Sequence, residues 1–125
     1  MKKIPMICAV LLGIPMFVFG SNYFLHFFAL PPDPSPGGQF LQAMRDGGLM
    51  SLVAFSHVVA GVLLFVPRTR FLGALLQLPM TLGITSFHLT MLHAGIPMAA
   101  VLLLLNLGAL YEPPRLRALI DPASH

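Results

Sequence analysis

The sequence predicts an all-α protein: a four-transmembrane-helix bundle forming one domain over residues 1–125. Three observations predict it. The chain is 57% hydrophobic and 9% charged, with a mean hydropathy of +0.86. So few charges would not cover the surface of a soluble domain. Four apolar runs, at about 4–30, 49–66, 71–92 and 97–111, fill most of the chain, and about 20 apolar residues cross a ~30 Å hydrocarbon core. Basic residues also cluster on alternate connections. Lys2, Lys3, Arg68, Arg70, Arg115 and Arg117 fall on one side and only Arg45 on the other. Positive residues flank the cytoplasmic ends of membrane helices. Both termini therefore read as inside (N-in/C-in), with the lipid bilayer of a bacterial cytoplasmic (inner) membrane as the expected setting.

The first run starts after Lys2-Lys3 and resembles a signal peptide, with a small-residue stretch at Gly20-Ser21. The run continues to Leu30, well past that stretch, which favours a retained membrane helix. Pro15 is expected to kink it and to free the carbonyl of Leu11. Asn22 and His26 are four apart and share a face. The loop that follows opens with a Pro-rich segment, 31–36. Gly37-Gly38 and Gly47-Gly48 then bracket residues 39–46, where Phe40, Leu41 and Met44 fall on one side. A short amphipathic segment on the outer interface is the reading, with an irregular loop as its alternative.

Run two carries His57, eight residues from Leu49 or ~12 Å deep. Ser56 and Ala60 form a small-xxx-small pair that permits close helix approach. Pro67-Arg68-Thr69-Arg70 reads as a tight turn, making runs two and three antiparallel neighbours. Run three has Pro79 at its centre and a polar second half containing Thr81, Thr85, Ser86, His88 and Thr90. Pro97 suits the start of a helix. Run four is almost purely aliphatic except for Asn106, and the tail from Glu112-Pro113-Pro114 is read as stopping it at the inner surface.

The chemistry this chain can host is bounded tightly. Cys8 is the single cysteine, so an intrachain disulfide, a CxxC redox pair and a cysteine zinc cluster are excluded. Only Asp33, Asp46, Glu112 and Asp121 are acidic, all outside the runs, so no carboxylate proton relay crosses them. The net charge of +3 belongs to helix ends and does not suggest nucleic acid. No phosphate loop or nucleophile motif occurs, and histidine spacings match no standard metal pattern.

Ionisable groups inside a membrane are costly and functionally suspect. His26 and His88 each lie ~6 Å inside the outer ends of their runs, His57 is deeper, and Asn106 reads as near the middle. One polar patch in the outer half is expected, made of Asn22, His26, His57, Ser86, His88 and Asn106. Three roles compete for it. His26 and His88 would serve as axial ligands of a b-type haem. Alternatively, the patch holds a quinone head group, with histidine and asparagine donors on the carbonyl oxygens. In the third reading the histidines are neutral and simply hold the helices together.

The order of short motifs resembles the DoxX family of small four-helix membrane proteins. The residues that carry it are Gly20-Ser-Asn-Tyr-Phe-Leu-His-Phe27 followed by Pro31-Pro32, then Val59-Ala-Gly-Val-Leu-Leu-Phe65. Leu78-Pro-Met-Thr81, Phe87-His88-Leu89 and Gly95-Ile-Pro97 complete it. The resemblance implies an association with thiosulfate:quinone oxidoreductase or with complexes handling thiol and oxidative stress. Members of that family tend to carry a glutamate where His57 stands and often an acidic residue where Asn106 stands. Both departures remove charge from the interior, so a role resting on those carboxylates does not carry over. The expected function is a non-catalytic accessory subunit or anchor of a larger electron-transfer complex, with partner membrane subunits. The alternative is a quinone-binding redox protein, or less readily a haem-binding one, that uses the intramembrane histidines.

Overall fold

A computed structural model describes residues 3–27 and 32–121. Every regular element among the described residues is helical. Helix α1 (Lys3–Leu25) runs through Pro15. It ends five residues before the expected Leu30, because His26 takes φ 55 and its N–H closes on the Asn22 carbonyl at 2.8 Å. A residue in the left-handed region ends a helix however apolar the sequence beyond it. The expected continuation over residues 28–30 lies outside the described residues.

The amphipathic segment is a true helix, α2 (Pro36–Asp46). Its start is heavily specified. Pro36 opens the first turn, the Ser35 side chain accepts from the Gly38 N–H at 3.2 Å, and the Ser35 N–H donates to Asp33 at 2.9 Å. Serine at this position satisfies a helix donor that would otherwise lack a partner. Gly48 at φ 83 then turns the chain by 88° into α3 (Leu49–Phe65). That conformation costs glycine nothing and other residues about 1 kcal/mol or more.

The turn from α3 into α4 (Arg70–Thr90) is closed by side chains on the last carbonyls of α3. The Thr69 hydroxyl donates to the Leu63 carbonyl at 2.9 Å. The Arg70 guanidinium donates to the Leu64 and Phe65 carbonyls at 3.0 and 3.2 Å. A cation on unsatisfied carbonyls suits the negative end of the helix dipole. A single 3₁₀ turn, His93–Gly95, leads into α5 (Ile96–Ala109). The tail does more than stop α5. Pro113 and Pro114 occupy a first turn, where their missing N–H groups cost little, and α6 (Pro113–Ile120) follows at 84° to α5. Arg115 pairs with Glu112 at 2.8 Å and lies 5.7 Å over the Phe71 ring, so α6 is tied to the bundle.

Four helices form a ring in the order α1, α3, α4, α5, with α1 and α4 meeting only slightly across the diagonal. Along the α1–α3 seam the backbones touch. A Cβ on Gly20 would stand 2.7 Å from the Ala54 carbonyl, and one on Gly61 would stand 3.0 Å from the Phe17 nitrogen and 3.2 Å from the Gly13 carbonyl. The small residues sit seven apart on each helix, two turns along one face. They replace the expected Ser56/Ala60 pair. Ala60 serves the next seam instead, where a Cβ on Gly73 would meet its carbonyl at 3.1 Å.

The buried apolar core lies toward the α6 end of the ring, where Ala9, Leu12, Leu64, Ala74 and Ala109 are almost fully enclosed. The outward faces are apolar and exposed, as at Leu52, Leu72 and Leu104. α1 and α4 are long and apolar enough to cross a membrane, and up to four spans result if each bent pair, α2 with α3 and α5 with α6, counts as one.

Gly20→Ala forces the α1–α3 seam apart and should destabilise the bundle by about 1–3 kcal/mol. Gly83→Ala, whose Cβ meets nothing within 4 Å, should be neutral or stabilising by up to about 1 kcal/mol. Thermal melts of the two variants in one detergent check the ordering. At the α2 start, the Ser35 hydroxyl and then its N–H donate to Asp33, holding its carboxyl below the ordinary 3.8. A lowered value in the folded state stabilises above that range and is lost as pH falls through it. The Gly38 amide shift should therefore stay constant down to the ordinary carboxylate range and move only below it. Asp33→Ala should abolish that transition.

Candidate functional site

One polar chain runs through the bundle, and α4 organises it. Ala74, Gln77 and Thr81 fall three and four apart, on one helix face. Asn106 reaches that face from α5 and donates from Nδ2 to the Ala74 carbonyl at 3.0 Å. Its Oδ1 accepts from the Thr81 hydroxyl at 2.7 Å. The Thr81 oxygen accepts from Gln77 Nε2 at 3.3 Å, and Gln77 Oε1 lies 3.2 Å from His57 Nδ1 on α3. Gln77, Thr81 and Asn106 are 0% exposed. No enclosed side-chain nitrogen or oxygen among the described residues lacks a partner. Buried polar groups persist only when satisfied in this way.

His57 is where the chain of bonds reaches open space. It lines a pocket of about 490 Å³ bounded by α1, α3 and α4, with α2 over it. That is within the usual range of ligand sites. The walls are mostly apolar and include Phe19, Phe40, Met44, Met80, Ile84 and Phe87. Asn22, Tyr23 and His57 are polar, and Arg45 is the one charged lining residue. Phe40 of α2 packs on Phe87 of α4 with ring centroids 5.7 Å apart, so the amphipathic face expected at Phe40, Leu41 and Met44 covers this pocket. A Cβ on Gly37 would meet the Met91 carbonyl at 2.8 Å, so the start of α2 sits directly on the end of α4.

The six residues expected to form one patch are not brought together as one. Asn22 and His57 share the pocket. Asn106 is three residues from the end of α5, yet its bond to Thr81 sets it level with the middle of α4, and it meets His57 only through Thr81 and Gln77. His26 is exposed past the end of α1. His88 turns toward the 3₁₀ turn, with Nδ1 at 3.1 Å from the Leu92 carbonyl and its ring against Gly95. Ser86 is exposed, and its backbone carbonyl accepts from Thr90. Neither His26 nor His88 lines the pocket. Among the described residues no group of three or more His, Cys, Asp or Glu is placed to hold a metal ion.

Sequence reasoning missed Gln77 altogether and left Thr81 out of the patch. The available signal was a glutamine inside an apolar run, four residues before a threonine. In a setting without water, such a pair needs partners on neighbouring helices. No family model, curated protein or solved structure matches this chain.

Thr81→Val keeps the shape but strands Asn106 Oδ1 and Gln77 Nε2, and should cost about 1–3 kcal/mol for each stranded group. Thr81→Ser should restore most of the loss, and Ser86→Ala should change stability by less than about 0.5 kcal/mol. Unfolding midpoints of the three variants decide it.

Proposed function

We propose that this chain is a four-span, N-in/C-in integral membrane protein of DoxX type. Its pocket beneath α2 binds a lipid-soluble ring compound of the quinone class, as a binding subunit of a redox complex. The observation that carries the reading is the pocket itself: an apolar chamber of about 490 Å³ with one buried imidazole, His57, on its wall. Apolar walls suit a hydrophobic body, and a few placed polar groups fix orientation.

The membrane reading rests on the exposed apolar belts of the helices and on the two sharp bends. α3 has 17 residues, or ~25 Å of rise, and α5 has 14, or ~21 Å. Each is a short span joined at nearly a right angle to an amphipathic helix, as expected where a chain leaves the hydrocarbon and runs along the interface. Lys3, Arg68, Arg70, Arg115 and Arg117 gather at the α6 end and Arg45 at the α2 end, which supports the cytoplasmic assignment of the former.

The accessory role rests on a different observation. The four carboxylates all lie off α1, α3, α4 and α5, which leaves His57 without an acid to exchange protons with. The outward face of α5, with Val101, Leu104 and Leu107 exposed, offers a surface for a partner helix or for lipid.

The purified chain in lipid nanodiscs, irradiated with a photoreactive short-tailed hydroquinone, should be labelled at pocket residues such as Met44 and Met80. Unlabelled hydroquinone should compete. Gly83→Phe, placed in open space beside the pocket, should reduce labelling at least tenfold without lowering the melting temperature. Labelling that ignores Gly83→Phe, or that falls on other surfaces, would sink the reading.

A further inference from the structure

The relay has a direction, and the direction sets what His57 offers to the pocket. At its far end stands the Ala74 carbonyl, which can only accept. Asn106 must therefore present its amide NH₂ there at 3.0 Å and its oxygen toward Thr81 at 2.7 Å. An amide oxygen has no proton to give, so the Thr81 hydroxyl donates to it. With its only proton committed, the Thr81 oxygen accepts from Gln77 Nε2 at 3.3 Å. Gln77 then shows its oxygen to His57 Nδ1 at 3.2 Å, and the imidazole must be the donor. Turning either amide around would set two acceptors or two donors face to face inside a bundle where no water replaces the lost bond. One backbone carbonyl on α4 thus fixes the tautomer of a histidine on α3.

A neutral imidazole carries one ring proton, and here it sits on Nδ1. Nε2 is left as a lone-pair acceptor. It has no bonding partner among the described residues, and no enclosed nitrogen or oxygen there is unpartnered. Nε2 therefore keeps an opening, into the pocket that His57 lines. The rings of Phe19, Tyr23, Phe40 and Phe87 also line that pocket, and aromatic rings pack well against a flat ring at offset or edge-to-face geometry.

We infer that the pocket selects a phenolic hydroxyl: a hydroquinone or lipophilic phenol that donates its O–H to His57 Nε2, in preference to a quinone carbonyl or an ether. The inference rests on the proposed pocket and deepens it, since it says which redox form of a quinone-class ligand the pocket retains. A carbonyl or ether oxygen opposite Nε2 would leave two acceptors facing each other. A site built to bond a hydroxyl rejects the analogue lacking it strongly, because its own polar group is left unpaired.

The test compares para-nonylphenol with its methyl ether, by calorimetric titration into the full chain in nanodiscs, with empty nanodiscs subtracted. The phenol should bind at least tenfold more tightly. In His57→Phe the ratio should fall to about one, and in Gln77→Met it should shrink, because the proton is no longer pinned to Nδ1. The wild-type ratio decides the matter even if either variant fails to fold. Equal affinity, or tighter binding of the ether, overturns the hydroxyl preference and leaves the pocket standing. Binding of neither compound above the empty-nanodisc level overturns the pocket reading, and the preference with it.

Discussion

The interaction on which the rest of the structure depends is the bond from Asn106 to the Ala74 carbonyl. It joins α5 to α4 at a backbone group, and it sets the direction of every hydrogen bond onward to α3. Three of the four ring helices are thereby linked by groups that strongly disfavour being unpaired. Between helices surrounded by apolar material, burial of aliphatic side chains contributes little preference for one partner over another. Polar bonds with fixed donors and acceptors supply the register that Leu-rich surfaces do not.

The fourth helix is held by another means. α1 approaches α3 through Gly13, Gly20 and Gly61 until backbone meets backbone. Close approach of small residues gains dispersion contacts and weak backbone contacts along the whole seam. The two devices divide the bundle. Toward the α6 end, short helices and small residues let Leu12, Leu64 and Leu102 fill the centre. Toward the α2 end, α2 leans over the bundle on Phe40 and Gly37 instead of filling it, and a chamber remains. The relay ends between the two halves, so His57 belongs to the packing on one side and to the pocket on the other.

Much of this was legible in the residues. The four apolar runs map onto α1, α3, α4 and α5 to within a few residues at most boundaries. The stripe of Phe40, Leu41 and Met44 correctly marked α2, because apolar periodicity is a local property that survives into the fold. The errors came from conformations that apolarity does not encode. His26 in the left-handed region ended α1 early, and Pro113-Pro114 started a helix as well as stopping one. The polar patch was misdrawn because depth counted along each run ignores how helices shift and rotate against one another. Asn106 reached His57 only through Thr81 and Gln77, and Ser86 and His88 faced elsewhere.

By itself, the sequence determined the helical class, the number of long helices, the amphipathic cover and the polar residues available. Each of these follows from side-chain type and spacing along one chain. Only the tertiary structure decided that Gln77 and Thr81 stand between Asn106 and His57, that Asn22 joins His57 at a pocket while His26 and His88 do not, and that Gln77 Oε1 faces the imidazole's Nδ1. Hydrogen-bond direction is a property of partners on different helices, and no single segment of the chain carries it.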